Sequence, residues 1–158
     1  MILRTQHVRL RYILKFPPDP HTSNSVMTLR VLTTGVFDLF HVGHLRALIN
    51  AKKHGDYLLV GVCNDIDTIS YKRLPVIPLE QRMEILRAID CVDEVFECPV
   101  YINEAIYKKH RIDIHCQGDP VLDHYVAPEK LGIMRYTGRE QSVNTTMLIR
   151  RIIDRHSS

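Results

Sequence analysis

GVFDLFHVGH, residues 35–44, sets two histidines three apart around a glycine, with an aspartate three residues before the first. It directly follows LRVLTTG (29–35), an apolar run that reads as a β-strand ending in glycine. HVGHLRALINAKKHG (41–55) then reads as a helix, with Leu45, Leu48 and Ile49 on one face and Gly55 as its stop. The imidazoles therefore stand at a strand-to-helix turn. A lone histidine is more often a satisfied surface or core residue than a catalyst. A zinc site needs a third reliable ligand, yet only Asp38 is near and no HExxH context exists. Phosphate fits better. Gly35 and Gly43 let backbone approach a ligand closely, and a helix N-terminus offers unpaired N–H groups and partial positive charge.

Outward from this turn the chain alternates. DYLLVGVC (56–63) is a continuous apolar run, as in a strand covered on both faces. A polar loop, NDIDTISYKRLPVIP, leads into helix 79–90, with Met83, Leu86 and Ile89 on one stripe. VDEVFE is a short strand, INEAIYKKHR a helix and IDIHCQG (112–118) another strand. EKLGIMRYTG covers a helical turn and a last strand, and 144–156 is a closing helix capped by Asn144 or Thr145. Strand and helix alternating at this spacing imply βαβ units: an α/β, Rossmann-like, doubly wound parallel sheet of about five strands. Ligands of such sheets sit beyond the carboxyl ends of the strands, where strand order reverses.

The 158 residues suit one domain, placed at 28–158. Residues 1–27 stand apart: MILRTQHVRLRYILKF holds four Lys or Arg and no acid, and PPDPHTSNS reads as a linker. The segment is either a transit peptide or, as favoured, something blander: a poorly ordered extension, or upstream sequence before a functional start at Met27. A formal charge of +3 is too mild to argue for nucleic acid but suits anionic ligands. No apolar run approaches the roughly eighteen residues of a membrane span, so a soluble protein is expected. Cys63, Cys91, Cys98 and Cys116 show no ligand spacing and read as reduced thiols of a cytoplasmic protein.

GVFDLFHVGH closely resembles the GxFDxxHxGH signature of the cytidylyltransferase family, within the HxGH nucleotidyltransferase superfamily. The resemblance continues through YKRLPVIPLEQRMEIL, similar to the family's lysine loop and following helix, and through VDEVF and KHRIDIHCQGD. REQSVNTTMLIRRI (139–152) is similar to the family's last motif, RTxGxSTT, but has Ser142 for its glycine and Asn144 for its serine. The resemblance spans residues 29 to about 153.

It implies the HxGH fold and attack by a substrate phosphate on the α-phosphorus of CTP, releasing pyrophosphate. By the same resemblance His41, His44, Lys72 and Arg139 would be catalytic, gripping the triphosphate. Gly35, Val36, Phe37, Gly43, Gly118, Asp119, Ser142 and Thr145 would bind nucleotide, Ser142 crowding the phosphates. Asp38, Arg82, Tyr101 and Tyr125 would meet the acceptor, with Arg82 alternatively a buried structural pair. Asp65 would hold the lysine loop or cap a helix. Mg²⁺ bridging the phosphates, no dedicated metal cage, and a homodimer without nucleic acid or membrane partners complete the expectation. Phosphoethanolamine or phosphocholine is the favoured acceptor, with glycerol 3-phosphate close. An adenylyltransferase and a catalytically silent nucleotide-binding paralogue remain as alternatives.

Overall fold

The computed structural model describes residues 28–119, 125–138 and 141–156. The readings of residues 1–27 and of Arg139 lie outside them. Five strands form one sheet: β1 (Arg30–Gly35), β2 (Tyr57–Cys63), β3 (Glu94–Cys98), β4 (Ile114–Gln117) and β5 (Met134–Tyr136). Every pairing is parallel and the order is β3-β2-β1-β4-β5. The chain thus runs outward from β1 to β3, then returns to the other side of β1 for β4. The reversal falls between β1 and β4, which is where a doubly wound sheet opens a ligand crevice.

Six helices connect and flank the described strands: α1 (Val42–Lys52), α2 (Asp65–Ile69), α3 (Leu79–Arg87), α4 (Glu104–His110), α5 (Val126–Lys130) and α6 (Thr145–His156). Alternate residues of β2 feed two core layers. Leu58, Val60 and Val62 join Val31, Leu48, Met83 and Leu86 on one face, while Leu59 and Cys63 join Leu32, Tyr107, Ile112 and Ile133 on the other. Each fully buried Leu or Val contributes about 1.5–3 kcal/mol relative to exposure, so this double-sided strand anchors the domain. All four cysteines are free thiols.

Some local readings change. Residues 65–69, expected within a loop, form α2 because Asn64 Oδ1 caps its N-terminus by accepting from the Asp67 N–H at 2.7 Å. Ile49 is 42% exposed, and Ala51 takes the buried place on α1. Gly55 does not end the helix through a left-handed conformation. It is required by close approach, since a Cβ there would stand 2.6 Å from the Leu29 oxygen. Asn144, not Thr145, caps α6: its Oδ1 accepts from the Met147 N–H at 2.9 Å. No residue of α6 is fully buried.

Candidate active site

At the carboxyl end of β1 the two imidazoles cap α1 reciprocally. The Gly43 N–H donates to His41 Nδ1 at 3.1 Å, and the His41 N–H donates to His44 Nδ1 at 3.3 Å. Side chain and backbone thus satisfy each other as in a capping box, with imidazole in place of hydroxyl and carboxylate. The rings stack, 3.8 Å apart and inclined by 23°. Because each Nδ1 accepts, the proton of each neutral ring sits on Nε2, leaving two N–H donors side by side at a helix N-terminus. Imidazole N–H groups at a helix N-terminus are chemically suited to an anion. A Cβ on Gly43 would stand 2.9 Å from the His41 ring, so only glycine lets that ring take its place.

The turn is held by strain and packing. Phe37 (φ 54°) and Leu39 (φ 47°) are left-handed, costly for side-chain-bearing residues and tolerated where surrounding contacts over-determine the backbone. The Phe37 ring, 6% exposed, meets His44 edge-on at 5.4 Å, and a Cβ at Gly35 would stand 3.3 Å from it. Its side chain supports the imidazole from within the core, so any nucleotide contact of Phe37 falls to its main chain. Val36 is half-buried, and its carbonyl accepts from Arg82 Nη1.

Asp38 corrects the expectation of a carboxylate beside the acceptor. It is 4% exposed and its oxygens accept from the N–H groups of Val76 (3.1 Å) and Ile77 (3.0 Å) and from Arg73 Nη1 (3.0 Å). Burial works against its charge, but the Ile77 and Val76 amides and Arg73 outweigh it and hold the carboxyl below its ordinary value. Asp38 therefore ties the segment after Lys72 to the histidine turn. Lys72 itself is exposed, its N–H donating to the Thr68 oxygen at 2.9 Å and its Nζ 5.4 Å from the Tyr71 ring centre.

Arg82 resolves to the structural alternative. It is 1% exposed, with Nε donating to the Ile77 oxygen (2.9 Å), Nη2 to the Cys63 oxygen (3.0 Å) and to Asp65 Oδ1 (2.5 Å). With Val36 as the fourth acceptor, this guanidinium staples β2, the lysine loop and the histidine turn together. Asp65 also accepts from the Leu79 N–H at 3.3 Å, as befits holding the loop.

From the far end of the chain, Thr145 donates its hydroxyl to the Asp38 main-chain oxygen at 3.0 Å, so a phosphate contact by Thr145 falls to its N–H. Val143 packs beside Gly43. Ser142 is exposed. Gly118 and Asp119 follow β4, next to β1, and Asp119 is exposed. Tyr101 is 59% exposed, whereas Tyr125 is half-buried and meets His115 edge-on at 5.4 Å. A groove of about 540 Å³ lined by Leu39, Phe40, Ile77, Ile85, Leu148, Ile152 and the two arginines Arg151 and Arg155 lies by the same turn, and the imidazoles do not line it.

Sequence reading missed a polar network beside the crevice. His115 is fully buried, which drives its pKa down to about 3 and keeps it neutral. It contacts the Tyr107 hydroxyl (2.7 Å), Thr34 (3.3 Å) and Gln117 (3.1 Å). The only sequence signal was the polar side chains of IHCQ within an otherwise apolar strand. Among the described residues no three His, Cys, Asp or Glu gather as a metal site.

A family model described as Cytidylyltransferase-like matches residues 32–151. The chain is 37% identical over 136 residues to the ethanolamine-phosphate cytidylyltransferase of Arabidopsis thaliana, covering 79% of this chain and 32% of that one. It is 37% identical over 139 residues to the FAD synthase of Thermococcus onnurineus, covering 80% of this chain and 92% of that one. Among solved structures, a lipopolysaccharide core biosynthesis protein from Thermoplasma volcanium superposes with a TM-score of 0.64 at 26% identity, over 73% of this chain and 100% of that one. The chain belongs to the cytidylyltransferase-like family. It spans about a third to a half of the first curated relatives it matches, whose shares are 32%, 47% and 37%. No described helix is long and apolar enough to cross a membrane.

Proposed function

We propose that this chain transfers CMP from CTP to the phosphate of a small phosphorylated alcohol. A phosphate oxygen of the acceptor forms a bond to the α-phosphorus as the bond to the β-phosphate oxygen breaks, and pyrophosphate leaves. Such a displacement needs positioning and charge neutralisation more than a protein nucleophile. The observation that carries the reading is the reciprocally capped pair His41–His44, two Nε2 donors fixed at a helix N-terminus beside the crevice. Lys72 and Arg139 supply further positive charge, and Mg²⁺ neutralises the phosphates. Phosphoethanolamine or phosphocholine is the favoured acceptor, in keeping with the names of several relatives, and glycerol 3-phosphate stands close behind. We also propose a homodimer.

A second reading, adenylyl transfer, is favoured by one observation: the FAD synthase relative is matched over 92% of its length. FAD contains an adenylyl group joined to a flavin phosphate, so ATP and FMN would be the pair. Pyrophosphate release with Mg²⁺ decides, crossing CTP and ATP against phosphoethanolamine, phosphocholine, glycerol 3-phosphate and FMN. Release with CTP and one alcohol phosphate is the expected result; release only with ATP and FMN would establish the second reading. Silence in every pair, with a nucleotide still raising the melting temperature, would favour a binding-only paralogue.

A further inference from the structure

The chain that carries Lys72 is wound rather than extended. After β2 ends at Cys63, Asn64 caps α2, and its main-chain oxygen accepts from the Thr68 hydroxyl at 2.6 Å. The Tyr71 and Lys72 N–H groups then donate to the Thr68 oxygen at 3.3 and 2.9 Å, which carries the helical turn on to Lys72. A helix as short as α2 does not hold itself in water, so side chains must fix this turn. Ile69, Ser70, Lys72, Arg73 and Leu74 are exposed. Tyr71 is half-buried and packs on the second core layer, the one built on Leu59 and Cys63.

The Tyr71 hydroxyl adds a tether. It is in hydrogen-bond contact with the Thr68 hydroxyl and with the thiol of Cys63, and burial pushes the phenol well above its ordinary pKa, so it stays a neutral O–H. The ring meets Lys72 as well. Nζ lies 5.4 Å from the ring centre, within reach of the attraction between an ammonium and an aromatic face. The Cys63 thiol is held below its ordinary value, by a hydrogen bond from Cys98 first and then, against burial, by the charges of Arg82 and Lys72. The ammonium therefore lies by the carboxyl end of β2, the strand beside β1. Beyond it, Asp38 holds Arg73, Val76 and Ile77. Lys72 thus stands between two anchors, Tyr71 before it and Asp38 after it.

An ammonium on a flexible four-carbon stem has no fixed place of its own. We propose that Tyr71 is a positioning residue for transfer, its ring fixing the turn that carries Lys72 and holding the ammonium where the phosphates arrive. This rests on the nucleotidyltransferase reading, in which Lys72 supplies positive charge. Tyr71 touches no substrate in this account and acts through Lys72 alone.

The test is a double-mutant cycle on pyrophosphate release with Mg²⁺. It uses the pair that the wild type turns over, CTP or ATP with phosphoethanolamine, phosphocholine, glycerol 3-phosphate or FMN. Lys72→Ala should lower transfer by about 10² or more. Tyr71→Ala should lower it about tenfold or more in the wild type, but by no more than about twofold once Lys72 is gone. Tyr71→Phe, which keeps the ring, should recover most of the loss. If Y71A does not fold, Y71L, which keeps apolar bulk without the ring, is read in the same way. A merely structural Tyr71 would lower transfer by the same factor with and without Lys72, and that result would overturn the inference while leaving the transferase reading intact. So would a Y71A as fast as wild type, or a Y71F as slow as Y71A. Wild-type turnover in K72A would remove Lys72 from the transferase reading and overturn the inference with it. A wild type that turns over no pair would overturn both.

Discussion

The Thr145 hydroxyl donates to the main-chain oxygen of Asp38 at 3.0 Å, joining residues 107 apart in sequence. One end of this bond is the first residue of the last helix; the other lies in the turn that carries the imidazoles. The same Asp38 receives Val76, Ile77 and Arg73 on its carboxylate, so one residue gathers the histidine turn, the lysine loop and the start of α6. Segments remote in sequence meet at one turn because of this residue.

Removing the tether should therefore show in substrate binding more than in stability. Thr145→Val is expected to cost about 1 kcal/mol of stability, the worth of an ordinary hydrogen bond. It should weaken nucleotide binding about tenfold through misplacement of α6, and Thr145→Ser should restore both. Chemical denaturation and calorimetry of the three proteins check this. Equal nucleotide affinity in all three would remove α6 from the account of the site.

The Asp38 carboxylate makes stability depend on acid. Its folded pKa lies below its ordinary value, so its contribution is fully present above the unfolded value of about 3.9 and disappears as pH falls through the folded value. The melting temperature of Asp38→Asn should lie well below wild type at about pH 6, with the gap closing below about pH 4. A gap independent of pH would mean that the charge of Asp38 is not what holds the loop.

Arg82 is expected to behave as a core residue that happens to be charged. Arg82→Ala leaves Asp65 and three carbonyls without their partner, and loss of one side of a buried pair costs about 3–5 kcal/mol. Arg82→Lys should recover only part of this, because an ammonium cannot reproduce the planar fork. Urea midpoints measure it. Wild-type stability with a selective rise in acceptor KM would reinstate Arg82 as a substrate contact.

Gly43→Ala separates helix from site. Alanine favours a helix by up to about 0.8–1 kcal/mol over glycine, which offsets the loss of the His41 cap, so α1 should still form. The added Cβ, 2.9 Å from the His41 ring, should push that ring off Nδ1–Gly43 contact and lower transfer by about a hundredfold. Circular dichroism and pyrophosphate release, taken together, read out both halves.

Much of this was legible in sequence where one residue type has one physical use. Apolar β2 could only be a strand covered on both faces, and HVGH at a strand-to-helix turn pointed to an anion. Asp38 shows the limit. A carboxylate before a histidine reads as chemistry until tertiary structure reveals two backbone amides converging on it. Arg82 was ambiguous for the same reason, since its four acceptors come from separate segments. The left-handed backbone at Phe37 and Leu39 carried no sequence mark, because glycine, the usual sign, is absent from both positions. The His115 and Gln117 network became visible only when β4 was placed beside β1, a strand order that local pattern does not encode.

The central claim is that His41 and His44 hold a nucleoside triphosphate at the N-terminus of α1. Its most direct test is calorimetric titration of Mg²⁺–CTP and Mg²⁺–ATP into the wild type and His44→Ala, with pyrophosphate release measured on the same samples. The account predicts that the wild type binds at least one of the two, and that H44A keeps its fold while losing transfer by about 10² or more. Wild-type turnover in folded H44A would contradict it.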